Sequence, residues 1–437
     1  MKQTPNNRLI TAVVANDEGE IFELKGYAAG GMAGTHLVPL SIDATVNMPY
    51  GSELLLLPDR KPVLYNLSKK SFEILSDNPY SPGSKIFPVA VFNSPGYIAS
   101  FISSYKENNG AKNLPLFSYS AVGWNNGKFR SAAICITREK RQDLRFMKIE
   151  KVVDGIADMK KKMPENRLRR HLEKCALEYG CPAAKNFFLG RYEAPLPTSR
   201  SCNAQCMGCL SYQKDSNIPN AQERITFTPS PDEIAQIALE HIKKVKSSVV
   251  SFGQGCEGDP LLSAHVIEPA IRLIRSQTKK GTININTNAS RPDVLADLLD
   301  AGADSIRISL NSIREKFYAA YFRPLEYSFK DVLKSIEITL SKKKFIAVNY
   351  LNSPGFTDSP EEFNAMLLFL KKYPINLIQW RNLNFDPVKY FEVMNKIGKH
   401  GIPLGMSKVL YRLKKTFPQL HHGYFNPPKE KFYARVR

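Results

Sequence analysis

No stretch of the 437-residue chain approaches the ~18 consecutive apolar residues that a membrane-spanning helix requires. The opening, MKQTPNNRLITAVV, also lacks an apolar core followed by a small-residue cleavage site, so no export signal is expected there. Cysteine is scarce and odd in number: there are seven, three of them crowded between positions 202 and 209. That distribution excludes a secreted disulfide framework, and reduced thiols fit a soluble, cytoplasmic protein. Acidic residues are in deficit, with 41 Asp and Glu against 61 Lys and Arg, a net charge of +20. Such a balance favours an anionic partner such as RNA, although a basic surface also serves solubility alone. With 43% apolar and 23% charged residues, the chain is ordinary globular protein and not disordered.

Length alone predicts about three domains, but an α/β barrel of roughly 250 residues counts as one, so two folded domains are preferred. Residues 1–137 read as short extended segments such as RLITAVVA, EIFELKGYA, GSELLLLP and KIFPVAVF, punctuated by Gly, Pro and Asn. This is a β-rich domain, with some helix expected near residues 98–107. Residues 138–185 are charged and helix-forming, a helical connector interrupted at Pro164. Residues 186–388 alternate strand and helix in about six units, which parallel strands with helical crossovers satisfy most economically. The helix opening at SPDE has Ser230 as N-cap, Pro231 in the first turn and Glu233 completing a capping box. His241 falls on its apolar face, where packing is the expected role. Residues 389–437 form a basic extension, with eleven Lys and Arg against two acidic residues and aromatics interleaved. That pattern suits single-stranded nucleic acid as well as a solvated helix and tail.

Two strands carry a further signal. GTININTN alternates Ile283 and Ile285 with Asn284, Asn286 and Asn288, and DSIRISLN alternates Ile306, Ile308 and Leu310 with Arg307, Ser309 and Asn311. One face is therefore apolar and the other polar. A closed barrel fills its interior with Val, Ile and Leu, so the polar face points to a partial barrel able to hold a polar ligand.

The segment SRSCNAQCMGC supplies three thiols, Cys202, Cys206 and Cys209, at C-x3-C-x2-C spacing, with no fourth cysteine in the next forty residues. A structural zinc site wants four protein ligands, whereas iron–sulfur clusters are also thiolate-held and a reactive site keeps an open position. The cysteines follow the first strand of the predicted barrel, and the second strand ends in FGQGCEGDPLL, which carries Cys256, Glu257 and Asp259. Both loops leave the carboxyl end of the sheet, where such folds place active sites.

In this combination the chain resembles the radical S-adenosylmethionine superfamily over residues 196–384. The resemblance implies an α/β fold, a partial (β/α)6 TIM-like barrel behind an N-terminal β-rich domain. It further implies a 4Fe–4S cluster held by Cys202, Cys206 and Cys209, whose fourth iron is chelated by S-adenosylmethionine, so that the missing ligand is the substrate itself. Reductive cleavage would then yield methionine and a 5′-deoxyadenosyl radical, with the electron drawn from a low-potential donor such as flavodoxin or ferredoxin. Gly255, Cys256 and Glu257 stand where the family's Gly-Gly-Glu-Pro element holds the methionine amino group. Glu257 is preferred over Asp259 for that contact. Ser309 and Asn311 are candidates for ribose or carboxylate binding, and Asn288 is a weaker one. Two features depart from the family pattern: Gly208 replaces the usual aromatic before the last cysteine, and the Gly-Gly-Glu-Pro element is altered.

Of the remaining residues, Cys256 reads as a buried structural thiol, with hydrogen-atom donation or ligation as alternatives. Cys175 and Cys181 read as packing thiols, and His421 and His422 as part of a polar tail with metal binding as the alternative. The loop YFRPLEYSF either lines a substrate entrance or packs beneath the cysteine loop. RNA is placed ahead of peptide and small metabolite as substrate. A zinc-stabilised nucleic-acid-binding protein without catalysis is the competing reading.

Overall fold

A computed structural model describes residues 9–213 and 217–433. Two compact units emerge, one built on the N-terminal residues to 138 together with 351–365 and 381–416, the other on 139–350, 366–380 and the chain beyond 416.

The first unit is an antiparallel sheet assembly. Its strand Thr11–Ala15 is covered on both faces, which explains why TAVVA shows no polar alternation. Ala12 and Val14 join Leu24, Tyr27, Leu64 and Ile86 in one cluster, while Val13 and Ala15 join Val89, Val91 and Val122 in another. The helix expected near residues 98–107 is absent; the segment instead forms the short strands Tyr97–Ala99, Ile102–Ser103 and Tyr105–Glu107. Its serines explain the correction, because Ser103 Oγ donates to Val89 O at 2.9 Å and Ser104 Oγ to Val63 O at 2.6 Å. Serine hydroxyls that bond to neighbouring strands favour the extended chain over the helix.

Residues 389–416, expected as part of a separate extension, belong to this unit. The helix Pro387–Ile397 is capped by Asp386, whose Oδ1 accepts from Val388 N and whose Oδ2 pairs with Arg60 Nη2 at 2.9 Å. Tyr390 and Phe391 lie buried on that helix, so these aromatics serve packing.

The second unit is a seven-stranded sheet in sequential order: Glu193–Pro195, Val249–Phe252, Thr282–Thr287, Ser305–Leu310, Phe345–Asn352, Leu377–Asn382 and His421–Gly423. Pairing is parallel, with Glu193 opposite Val249, Val249 opposite Thr282, Asn284 opposite Ser305, Ser305 opposite Phe345 and Leu377 opposite His421. The expected partial barrel of alternating strands and helices is therefore present. It gains a strand, because the HHG stretch read as a tail is its seventh. Three residues are too few to display a period, so nothing in the sequence distinguished this strand from a loop. The capping box at Ser230 forms as expected, with Glu233 N donating to Ser230 Oγ and Ser230 N to Glu233 Oε2. The connector folds as the helices Ile149–Lys162, Arg167–Leu177 and Pro182–Phe188.

The polar inner face of the sheet is closed by its own chain. Asn426 Nδ2 donates to Glu193 Oε1 at 2.9 Å, and its Oδ1 accepts from Gln379 Nε2 at 2.8 Å. Asn284 donates to Asn286 Oδ1 at 2.8 Å and accepts from Ser305 Oγ at 2.9 Å, while Arg307 Nη1 reaches Gln379 Oε1 at 3.1 Å. A ligand would thus meet the carboxyl end of the strands, since this part of the interior is already occupied. Among the described residues, no helix is long and apolar enough to cross a membrane.

Candidate active site

Three strand ends are stitched together at the carboxyl edge of the sheet. The first barrel strand runs on through Leu196, whose N–H donates to Ser251 O at 2.8 Å, into the cysteine loop. Glu257 then ties this loop to the next. Its Oε2 accepts from the amides of Thr198 and Ser199 at 2.8 and 2.9 Å, and its Oε1 from those of Gly253 and Gln254, both at 2.7 Å. Gly258 N donates to Ser199 O at 2.7 Å and Asp259 N to Ser201 O at 2.9 Å. The two loops are so close that a Cβ on Gly258 would stand 1.8 Å from Ser201 O. Only glycine permits that approach.

Asp259 fastens the third strand end, accepting from Thr287 Oγ1 at 2.9 Å, Asn288 N at 2.6 Å and Leu261 N at 3.0 Å. Asn288 Nδ2 in turn donates to Asn203 Oδ1 at 2.8 Å, inside the cysteine motif. The far side of that motif rests on the segment after the fourth strand. Gln205 N donates to Phe322 O, Met207 N to Tyr321 O and Leu325 N to Asn203 O. Tyr318 is fully buried there and stacks on Phe322 with ring centres 4.6 Å apart. The YFRPLEYSF segment therefore supports the cysteine loop from below.

The three thiols sit half-buried on this braced loop. Burial pushes the Cys202 thiol up to about 12 and the Cys206 thiol well above its ordinary value, with Asp259 and the neighbouring thiols adding to the effect. A bare thiolate is disfavoured here, so the loop suits a cationic centre that holds the thiols deprotonated. Three thiols on one loop are the ligand type that holds an iron–sulfur cluster. Arg224 adds a cation that sequence reasoning missed: its Nη2 lies 3.6 Å from Cys209 Sγ and its guanidinium 4.9 Å over the Tyr212 ring. It stands in an aperiodic loop fifteen residues away, where no pattern marks it.

The other expected residues divide into two groups. Glu257 and Asp259 are each 5% exposed, and their oxygens are engaged by the chain itself. A carboxylate offers about four acceptor positions, and Glu257 has filled four with backbone amides. The methionine amino contact expected of Glu257 thus requires acceptor capacity already used, whereas the alternative, Asp259, holds three donors and keeps about one position. Burial pushes the Glu257 carboxyl up to about 7 against the pull of those four amides, and raises Asp259 as well. Gly255 is exposed and Cys256 buried beside them. Ser309 is half-buried on the fourth strand. Asn311, just beyond it, is fully buried; its Nδ2 donates to Phe317 O at 3.2 Å while its Oδ1 has no partner. An orphaned buried carbonyl at this edge is an acceptor that suits a ligand hydroxyl or amine. His422, read as tail, accepts from Trp380 Nε1 through its Nδ1 at 3.0 Å. His241 packs as expected, 1% exposed with Nε2 3.2 Å from Tyr192 O.

The chain is therefore an α/β protein with an open parallel half-barrel whose first loop carries three thiols at the carboxyl edge. Residues 196–370 match the family model of the Radical SAM superfamily, and this segment is a Radical SAM domain. The cofactors of that family are a 4Fe–4S cluster and S-adenosylmethionine. The zinc-stabilised nucleic-acid-binding alternative is thereby set aside. The chain is 24% identical over 178 residues to the FeMo cofactor biosynthesis protein NifB of Klebsiella pneumoniae, covering 38% of each chain. It is 26% identical over 162 residues to an uncharacterised protein of Methanocaldococcus jannaschii, covering 35% of this chain and 55% of that one. The chain thus spans from under two fifths to just over half the length of these relatives. Among solved structures, the FeFe-hydrogenase maturase HydG from Carboxydothermus hydrogenoformans is similar at a TM-score of 0.38 and 14% identity, covering 65% of this chain and 71% of that one.

Proposed function

We propose that the chain is a radical SAM enzyme: it binds a 4Fe–4S cluster through Cys202, Cys206 and Cys209, cleaves S-adenosylmethionine reductively and turns the resulting radical on a second substrate. The observation that carries this reading is the braced three-thiol loop at the carboxyl edge of a half-barrel within a Radical SAM domain. When bound, the cluster supplies the electron that splits the sulfonium C5′–S bond to methionine and a 5′-deoxyadenosyl radical. The protein residues orient the reactants and exclude competing reactions. Glu257 and Asp259 fix the geometry of the loops, and the exposed Gly255 beside the buried Cys256 serves the methionine end. Asn288, Ser309 and Asn311 serve the ribose and carboxylate, the unpartnered Asn311 Oδ1 foremost.

RNA is the substrate class to test first, on the net charge of +20. The aromatics of residues 389–433 lend it little support, since Tyr390, Phe391, Phe425 and Phe432 are buried and only Tyr411 and Tyr433 are largely exposed. A low-potential flavodoxin or ferredoxin is the proposed reductant. After anaerobic reconstitution and reduction with dithionite, the chain is expected to form 5′-deoxyadenosine, and Cys202→Ala, Cys206→Ala and Cys209→Ala are each expected to abolish it. Product from any of the three variants overturns the assignment. If about six phosphates of a single strand are contacted, log K falls with log salt at a slope near −4. Salt-insensitive RNA binding, or product formation indifferent to RNA, removes RNA as substrate.

A further inference from the structure

His171, Cys175 and Cys256 converge behind the cysteine loop. His171 and Cys175 are four residues apart on the helix Arg167–Leu177, so their side chains share one face. Cys256 reaches them from the loop after the second barrel strand. The three donor atoms all lie within 4.8 Å of one another. His171 Nε2 and Cys175 Sγ are 3.5 Å apart. A tetrahedral zinc ion, with Zn–S of about 2.3 Å and Zn–N of about 2.0–2.1 Å, sets its sulfur and nitrogen ligands about 3.6 Å apart. The observed separation is that of one tetrahedral edge.

We propose that His171, Cys175 and Cys256 bind a single zinc ion, separate from the three-thiol loop. Two thiolates and one imidazole are a donor set that selects such a cation over magnesium or calcium, which prefer oxygen. Cys175 and Cys256 are 1% and 5% exposed, and His171 is half-buried. The helix that carries two of the ligands is itself fixed. Its N-cap Asn166 accepts from Arg169 N at 2.9 Å and donates to Glu233 O at 2.9 Å on the helix capped by Ser230. Cys256 is equally constrained, since its carbonyl accepts from Ile225 N at 2.8 Å and its neighbour Glu257 holds four amides. The ion would clip the connector helix to the loop that braces the cysteine motif.

The test uses the full chain with Cys202, Cys206 and Cys209 all changed to Ala, so that retained metal cannot reside in that loop. One equivalent of zinc per chain is expected, and cobalt(II) in its place should show thiolate charge-transfer bands and tetrahedral ligand-field bands. Adding Cys175→Ser, Cys256→Ser or His171→Ala should reduce zinc at least tenfold. Absence of stoichiometric zinc, its undiminished retention in those variants, or a Cys175–Cys256 disulfide in the isolated chain overturns the proposal. Should the variants not fold, zinc-edge X-ray absorption of the intact holoprotein decides: two sulfurs with one imidazole are expected, and a shell of four sulfurs or of oxygen alone refutes it. These readouts are independent of 5′-deoxyadenosine formation, which tests the enzymatic reading separately.

Discussion

Glu257→Gln separates a brace from a ligand. The glutamine amide keeps one carbonyl oxygen, which retains two of the four backbone donors, and presents an NH2 group to the other two. Two buried amides then lose their acceptor, each at a cost of about 1–3 kcal/mol, or about 2–6 kcal/mol together. Because burial pushes the native carboxyl up to about 7, removing its charge returns part of the desolvation cost. The expected loss is therefore about 2–4 kcal/mol, concentrated at the amides of Thr198, Ser199, Gly253 and Gln254. Hydrogen exchange followed by mass spectrometry on peptides spanning residues 196–201 and 252–256 reads it directly. A loss of 2 kcal/mol corresponds to about 30-fold faster exchange. Alanine would uncover all four donors at a cost approaching the whole stability of a domain, about 5–15 kcal/mol, so glutamine is the sharper probe. Unchanged exchange in both peptides, combined with weakened S-adenosylmethionine binding, would refute the bracing role and restore Glu257 as a direct ligand.

Gly258→Ala should displace the cysteine loop, because its Cβ would meet Ser201 O at 1.8 Å; iron per chain after anaerobic reconstitution should fall well below that of the native chain, and equal iron content would contradict the close approach. Burial lowers the His241 pKa to about 4 from 6.5, so its folded pKa is depressed. Its contribution is complete above pH 6.5 and lost as pH falls towards 4, about 3 kcal/mol in all. His241→Leu should accordingly flatten the acid limb of thermal stability between pH 6.5 and 4, and an unaltered limb would assign acid sensitivity elsewhere. Asn426→Leu removes one donor to Glu193 Oε1 and the acceptor that Gln379 Nε2 uses on Asn426, and should cost about 1–3 kcal/mol in urea unfolding. Wild-type stability would show that water replaces the amide.

The sequence exposed most strongly what periodicity and spacing encode. The strand–helix alternation from residue 186, the capping box at Ser230 and the C-x3-C-x2-C motif all follow from local patterns. What it hid was settled by tertiary pairing. Residues 98–107 became strands because Ser103 and Ser104 found carbonyls on neighbouring strands, and His421–Gly423 is too short to show a period. The bracing by Glu257 was invisible because its partners are main-chain amides, which carry no residue signature. The His171–Cys175–Cys256 cluster was half visible: H-x3-C on a predicted helix places both donors on one face, but no local pattern links Cys256, on a separate loop, to them.

Asn426 also bears on how the protein is made. It joins Glu193 across 233 residues of chain, so the floor of the half-barrel cannot be completed during synthesis until that asparagine has left the ribosome. Until then Glu193 Oε1 and Gln379 Nε2 lack the hydrogen bonds that Asn426 supplies. Nascent chains halted before residue 426 should consequently be the ones most readily captured by chaperones or degraded.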